Sequence, residues 1–160
     1  MDDRELAGRI ESMTPTLFRI CYAQFSDLHD REDAVQEALL RVWHRRDSIR
    51  DERFLQTFVV RTLLNVCRDM QRKSRRIQPS DALPEPSQPY DPSHSRVHDA
   101  LLSLDEKHRT PILLHYMEGY PVEDVAKILR IPVGTVKTRL RCGREKLKKL
   151  LIQNDRRWTS

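Results

Sequence analysis

Apolar residues recur at three- and four-residue intervals along most of this 160-residue chain. Nowhere do they alternate in the strict fashion of a half-buried strand. Leu6, Ile10, Met13, Leu17 and Cys21 form one stripe, and Pro15 is expected to kink or split that helix. A second helix is predicted to start near Asp30, an N-cap residue followed by Glu32 and Asp33 in the turn where the helix dipole favours carboxylates. Its stripe is Val35, Leu39, Val42 and Trp43. A third helix runs from about Phe54 to Arg76, with Val60, Leu63, Leu64, Cys67 and Met70 inward. Ser103-Leu-Asp-Glu106 reads as a capping box opening a further helix, which Pro111 should kink or split and Gly119-Tyr-Pro121 should end. The pattern predicts an all-α protein.

One stretch breaks the helical text. Five of the nine prolines lie between Pro79 and Pro92, where each removes a backbone donor and pushes its predecessor out of the helical region. Residues 79–95 are therefore expected to be a flexible linker, extended or disordered, between small helical domains at 1–78 and 96–160.

The polar faces of these helices carry more information than the apolar ones. Asp33, Gln36, Glu37 and Arg41 form a polar ridge on the second helix. Arg61, Asn65, Arg68 and Arg72 form a basic ridge on the third, at i, i+4, i+7 and i+11. Taken singly, either ridge is equally an ordinary solvated face.

Residues 122–150 are more specific. Val122, Val125, Ala126 and Leu129 make the inner stripe of a short helix, Arg130-Ile-Pro132-Val-Gly134 supplies a turn, and Val136, Leu140, Gly143, Leu147 and Leu150 make the stripe of a longer helix. Two helices joined by a short Gly-containing turn, the second basic, read as a helix-turn-helix. Thr135, Lys137, Thr138, Arg141 and Cys142 project from the first turns, where base edges are read, while Arg139, Arg144 and Lys148 suit phosphates. Gly143 falls on the inward face, where a missing side chain lets two helices approach closely. A cationic helical hairpin is the plainer alternative.

Charge sharpens this division. The net charge of +5 resolves into −5 over residues 1–40, +7 over 41–78, −4 over 79–121 and +7 over 122–160. Two separate basic blocks suggest two polyanion contacts. No run approaches the ~18 apolar residues of a membrane span, and the acidic first residues lack the apolar core of a secretory signal. Three widely spaced cysteines, Cys21, Cys67 and Cys142, argue against a disulfide framework and for a reducing cytoplasm. Only His94 and His98 have a ligand-like spacing, without a useful third partner, so no metal or cofactor is expected.

Three segments together resemble a known family. Asp30-Arg-Glu-Asp33-Ala-Val-Gln36-Glu37-Ala-Leu-Leu-Arg41-Val-Trp43 resembles the D-x-E-D-x-V-Q-E-x-x-x-R-x-W text of bacterial sigma-70-family factors. Residues Phe58 to Arg72 are similar to the W-L-x-R-x-x-x-N-x-x-x-D-x-x-R helix of the extracytoplasmic-function group, and Tyr120 to Leu140 to its region 4 helix-turn-helix. The resemblance implies a region 2 bundle and a region 4 domain, and an alternative sigma factor that directs promoter recognition, DNA melting and initiation.

It implies roles as well. Asp33, Gln36, Glu37 and Arg41 would dock on the clamp helices of the largest RNA polymerase subunit, and residues around Leu104 to Tyr116 on the flap. Phe58, Arg61, Asn65, Arg68 and Arg72 would engage the minus-10 element. Thr135, Lys137, Thr138, Arg139, Arg141 and Arg144 would engage the minus-35 element. Strand opening would draw on binding to single-stranded DNA, in keeping with the absence of a phosphate-cradling Gly-rich loop. No enzyme activity is expected, and an anti-sigma factor is an expected partner. The chain departs from the family in having Phe58 for Trp, Cys142 for a common Arg and Gly143 for Ala. A one-component repressor or activator remains the alternative, explaining residues 96–160 equally well but neither the basic third helix nor the linker.

Overall fold

A computed structural model describes the backbone of residues 2–77 and 96–159, with side chains placed for 2–75 and 96–153. Every regular element among these residues is helical. The chain divides into two compact units, Met1–Pro89 and Tyr90–Ser160. The expected linker, 79–95, lies outside the described residues.

In the first unit, α1 spans Asp3–Tyr22, α2 Leu28–His44 and α3 Leu55–Ile77. Helix α1 starts where Asp2 accepts the Glu5 backbone N–H at 2.7 Å. Pro15 neither splits nor ends it. The ring sits on the exposed face, so the carbonyl it leaves without a partner on the preceding turn is open to water. Helix α2 begins three residues earlier than expected, because Asp27 and not Asp30 is the N-cap, accepting His29 N–H at 2.8 Å. The earlier start brings Arg31 onto the inner face. Its Nε donates to the Phe25 carbonyl at 2.9 Å and its guanidinium lies 4.4 Å from the Tyr22 ring centroid, stapling the α1–α2 loop.

The core forms where α2 packs on α3 and α1 lies across both. Leu17, Ile20, Ala34, Val35, Ala38, Val42, Val59 and Leu63 are buried, and each large member contributes roughly 1.5–3 kcal/mol of apolar transfer. Leu39 and Trp43, expected inward, are only half-buried; Ala34 and Ala38 take the inner positions. Small residues there let α2 lie close to its neighbours and turn the bulkier side chains to the rim. Cys21 and Cys67 meet in the core as free thiols, their sulfurs 4.0 Å apart.

The second unit contains α4 (Arg96–Ser103), α5 (Glu106–Ile112), a π-helical turn (Leu113–Met117), α6 (Val122–Leu129) and α7 (Val133–Thr159). Helix α7 is the spine, with α4, α5 and α6 all packed against it. The expected capping box is absent. Ser103 closes α4, donating to the Asp99 carbonyl at 3.0 Å, and Asp105 occupies the N-cap position of α5 without a side-chain cap bond. The Asp105 carboxylate is taken instead by His108 Nδ1 at 2.7 Å. Pro111 does end regular α-geometry: within two residues the chain widens into the π turn, which Gly119 terminates at φ +78.

Gly143 shows why α7 lies so close to α5. An ideal Cβ there would stand 2.6 Å from Ile112 Cδ1 and 3.3 Å from the His108 carbonyl, so the inward reading of this glycine holds. Gly134 is not the turn-former. The left-handed position is Arg130 at φ 57, and Gly134 lies in the first turn of α7 with open space around it.

Candidate partner and nucleic-acid interfaces

The polar ridge of α2 is an exposed surface. Asp33, Gln36 and Glu37 all face solvent. Arg41 does not stand free: its Nε meets Glu37 at 3.1 Å and its Nη1 meets Asp69 of α3 at 3.2 Å. Its hydrogen bonds to Glu37 and then to Asp69 hold its guanidinium above the usual arginine range, against the opposing effect of burial. Arg41 thus ties the two ridges together and fixes the orientation of Glu37.

Beside this ridge runs a groove that the sequence pattern did not reveal. About 490 Å³ in volume, it lies between α1 and α2 and is lined by Ile10, Glu11, Gln36, Leu39, Leu40 and Trp43. Leu40 is 55% exposed. One face of Trp43 is covered by Arg46, whose guanidinium carbon sits 4.6 Å from the ring centroid and whose Nε pairs with Asp3. Leu39 and Trp43 were counted as core because they continue the apolar period. The signal for a surface role was Leu40 beside them, which widens the apolar arc beyond what a buried stripe needs.

The basic ridge of α3 divides in two. Asn65, Arg68 and Arg72 are exposed and line a cleft of about 340 Å³ together with Arg41, Arg45 and Asp69. Phe58 and Arg61 are half-buried and lie outside that cleft, nearer the N-terminal end of the helix. Four arginines and one amide around a concave surface, moderated by a single carboxylate, suit a phosphate-bearing strand.

In the second unit the first turns of α7 present Lys137, Thr138 and Arg141 to solvent, with Thr135 half-buried behind them. The Thr138 hydroxyl donates to the Gly134 carbonyl at 3.0 Å, so it offers its oxygen lone pairs and methyl outward. Arg139 is half-buried, with Nε enclosed and unpaired. Arg144 is exposed yet engaged: it donates to the Tyr116 hydroxyl and lies 5.9 Å from the Tyr116 ring centroid. The π turn is what carries Tyr116 to it. Further along α7, the exposed Lys146 approaches the Asp105–His108 pair, its Nζ 3.6 Å from the carboxylate.

Among the described residues no group of three His, Cys, Asp or Glu side chains is placed to hold a metal. His98 is buried on α4, and His94 lies outside the described residues. No described helix is long and apolar enough to cross a membrane.

With this geometry in hand, comparison with known proteins is direct. The profile of sigma-70 region 2 matches residues 9–77, and that of sigma-70 region 4 matches residues 94–147. The chain is 30% identical to the extracytoplasmic-function sigma-E factor of Haemophilus influenzae, over 91% of this chain and 93% of that protein. It is 29% identical to the SigW sigma factor of Bacillus subtilis, over 94% and 90%. Its fold matches sigma factor RpoE of Bartonella quintana, solved with the anti-sigma factor NepR. That match has a TM-score of 0.76 at 25% identity and covers 92% of this chain and 97% of that one. The chain belongs to the sigma-70 family, in its extracytoplasmic-function group.

Proposed function

We propose that this alternative sigma factor divides initiation between its two units in a residue-specific way. Region 2 docks on the polymerase clamp helices through Asp33, Gln36 and Glu37 and seats an apolar side of that helical pair in the groove of Leu39, Leu40 and Trp43. Arg41 holds Glu37 in place and is a positioning residue. The cleft of Asn65, Arg68 and Arg72 then takes the non-template strand of the minus-10 element, with Phe58 and Arg61 nearer the point of opening. Region 4 lays the first turns of α7 in the major groove of the minus-35 element. There Lys137, Thr138 and Arg141 reach base edges, Thr135 and Arg139 line the groove wall, and Arg144, braced by Tyr116, meets phosphate. Between Leu104 and Tyr116, the exposed side chains of Asp105, Lys107 and Tyr116 meet the flap, since Leu104 and residues 108–114 are buried in the unit.

The observation that carries this reading is the placement of a polar and apolar docking surface on one side of α2 and a cationic cleft against α3 on another. The first suits a protein helix, the second a polyanion. No catalytic residue is involved: capture of the opened strand stabilises the melted state, and the site of action is the cytoplasm, where core polymerase works. An anti-sigma factor, such as the one solved with the Bartonella protein, would compete for the α2 groove.

The test is transcription by core polymerase plus this protein on duplex and pre-melted templates, with the transcribed promoters sequenced. Initiation at discrete sites sharing two elements is the expected result. Arg68→Ala should impair initiation on duplex templates more than on pre-melted ones. Initiation equally efficient with and without the protein would overturn the reading.

A further inference from the structure

The basic stripe of α3 does not begin at Phe58. Continuing its spacing one turn toward the N-terminus gives Phe54, so that positions 54, 58, 61, 65, 68 and 72 form one series at alternating steps of four and three. Phe54 closes the one-turn 3-10 helix Glu52–Phe54 that leads into α3, and it is 51% exposed. A single exposed phenylalanine is ordinary; one that heads a stripe of arginines is not.

The turn that presents it is closed by local hydrogen bonds. Asp51 accepts the Arg53 backbone N–H at 3.0 Å, and its carbonyl accepts the Phe54 N–H at 3.1 Å. The Arg53 guanidinium closes on the same carboxylate through Nε and Nη2, at 3.2 and 2.8 Å. The ring therefore stands out from a hydrogen-bonded turn that sets the direction in which it projects. Aromatic rings in register with cations are the surface on which unpaired bases stack.

We infer that Phe54 is a second stacking platform for an unpaired base of the opened strand, one helical turn beyond Phe58. The inference rests on the reading of the α3 ridge as the minus-10 surface, and it adds to that surface a residue the ridge did not include.

The test uses holoenzyme assembled from core polymerase and the full chain. The probe is a fork DNA, duplex upstream and single-stranded across the minus-10 region, taken from a promoter mapped with this holoenzyme. Phe54→Ala should weaken binding to the fork about tenfold and leave binding to the intact duplex within about twofold. Phe54→Trp should restore the loss, and 2-aminopurine placed in the single strand should be quenched by Phe54 and Trp holoenzymes but not by the Ala variant. Phe54→Leu should behave like Ala, because it keeps apolar area without a ring. A Leu variant equal to the parent would overturn stacking. So would an unaffected Ala variant alongside a weakened Arg68→Ala. If neither Phe54→Ala nor Arg68→Ala changes fork binding, the ridge reading falls and takes this inference with it.

Discussion

Region 2 and region 4 both carry basic helices, yet region 2 pairs several of its arginines with carboxylates where the first turns of α7 in region 4 do not. In region 2, Arg41, Arg46 and Arg53 are each held by carboxylates of the same unit, and Arg9 bridges Glu5 and Glu52. In region 4, Lys137 and Arg141 have no ion pair among the described residues and stand exposed on one continuous helix. Exposed pairs of this kind add little stability, typically 0–1 kcal/mol each, so their value lies in orientation. In the proposed roles, a surface that grips an irregular single strand and also docks on protein gains from pre-set side chains. A surface that slides into the regular major groove is served by one straight helix with free cations, since the duplex supplies the geometry.

The packing of the two units differs in the same spirit. Both units bury apolar side chains between their helices, but region 4 adds one close crossing of α7 on α5 at Gly143. Gly143→Leu should overpack that crossing and cost about 3 kcal/mol, while Leu17→Ala should remove a fully buried side chain from region 2 at a similar cost of about 3 kcal/mol. Amide hydrogen exchange on the whole protein separates them. The first variant should deprotect α5 to α7 alone, and the second α1 to α3 alone. Deprotection of both units by either substitution would break the picture of two independent cores. The same crossing gives a reason for the departure from the family's usual alanine, because Ile112 occupies the space a Cβ would need.

Glu37→Arg comes next in size. It reverses a charge on the proposed docking ridge and removes one of the two carboxylates that hold Arg41, leaving Asp69, so affinity for core polymerase should fall at least tenfold, as read by a competition assay. The affinity of region 4 for duplex should stay within about twofold. Unchanged core binding would remove the docking role from α2. Lys137→Ala should shift minus-35 preference by about 1–3 kcal/mol at one base pair, measured by binding to single-base variants of the element. A uniform loss across all variants would reassign Lys137 to phosphate and make the two units more alike than they look.

Much of this was legible in the sequence, for reasons visible in particular residues. Helical periodicity located every long helix, and the inward glycine of α7 followed from its stripe alone. Local signals were ambiguous wherever two residues of one chemistry compete. Asp27 and Asp30 both suit an N-cap, and the buried staple of Arg31 favours the earlier. Arg130 and Gly134 both lie in the stretch that breaks the helices, and the folded turn places the left-handed residue at Arg130. The groove of Leu39, Leu40 and Trp43 was hidden because an apolar residue reads the same to a pattern whether it faces a core or a partner. The engagement of Arg144 by Tyr116 depends on the π turn, and a lone proline does not announce that geometry.

The smallest expected effect contrasts two carboxylates near helix starts. Burial and the charges of Asp27 and Asp33 raise the Asp30 carboxyl above its ordinary 3.8, with His29 opposing. At Asp105 burial also pushes upward, but the His108 hydrogen bond, helped by the charges of His108 and Lys146, brings the carboxyl below 3.8. The signs for stability are therefore opposite. Asp30 is favourable to the fold when protonated, below the ordinary value, and this is lost as pH rises through its raised folded value, leaving a cost at neutral pH. Asp105 is favourable when ionised, above the ordinary value, and this is lost as pH falls through its lowered folded value. Asp30→Asn should therefore stabilise region 2 slightly at pH 7 and not at pH 3.5, while Asp105→Asn should destabilise region 4 slightly at pH 7 and progressively less as the pH falls below 3.8. Both carboxylates are substantially exposed, so the shifts will be small and are best read as differences in exchange protection between each variant and its parent. If Asp30→Asn instead destabilised region 2 at pH 7, as Asp105→Asn does region 4, the Asp30 carboxylate would be serving the dipole of its own helix more than it suffers from burial and from the charges of Asp27 and Asp33.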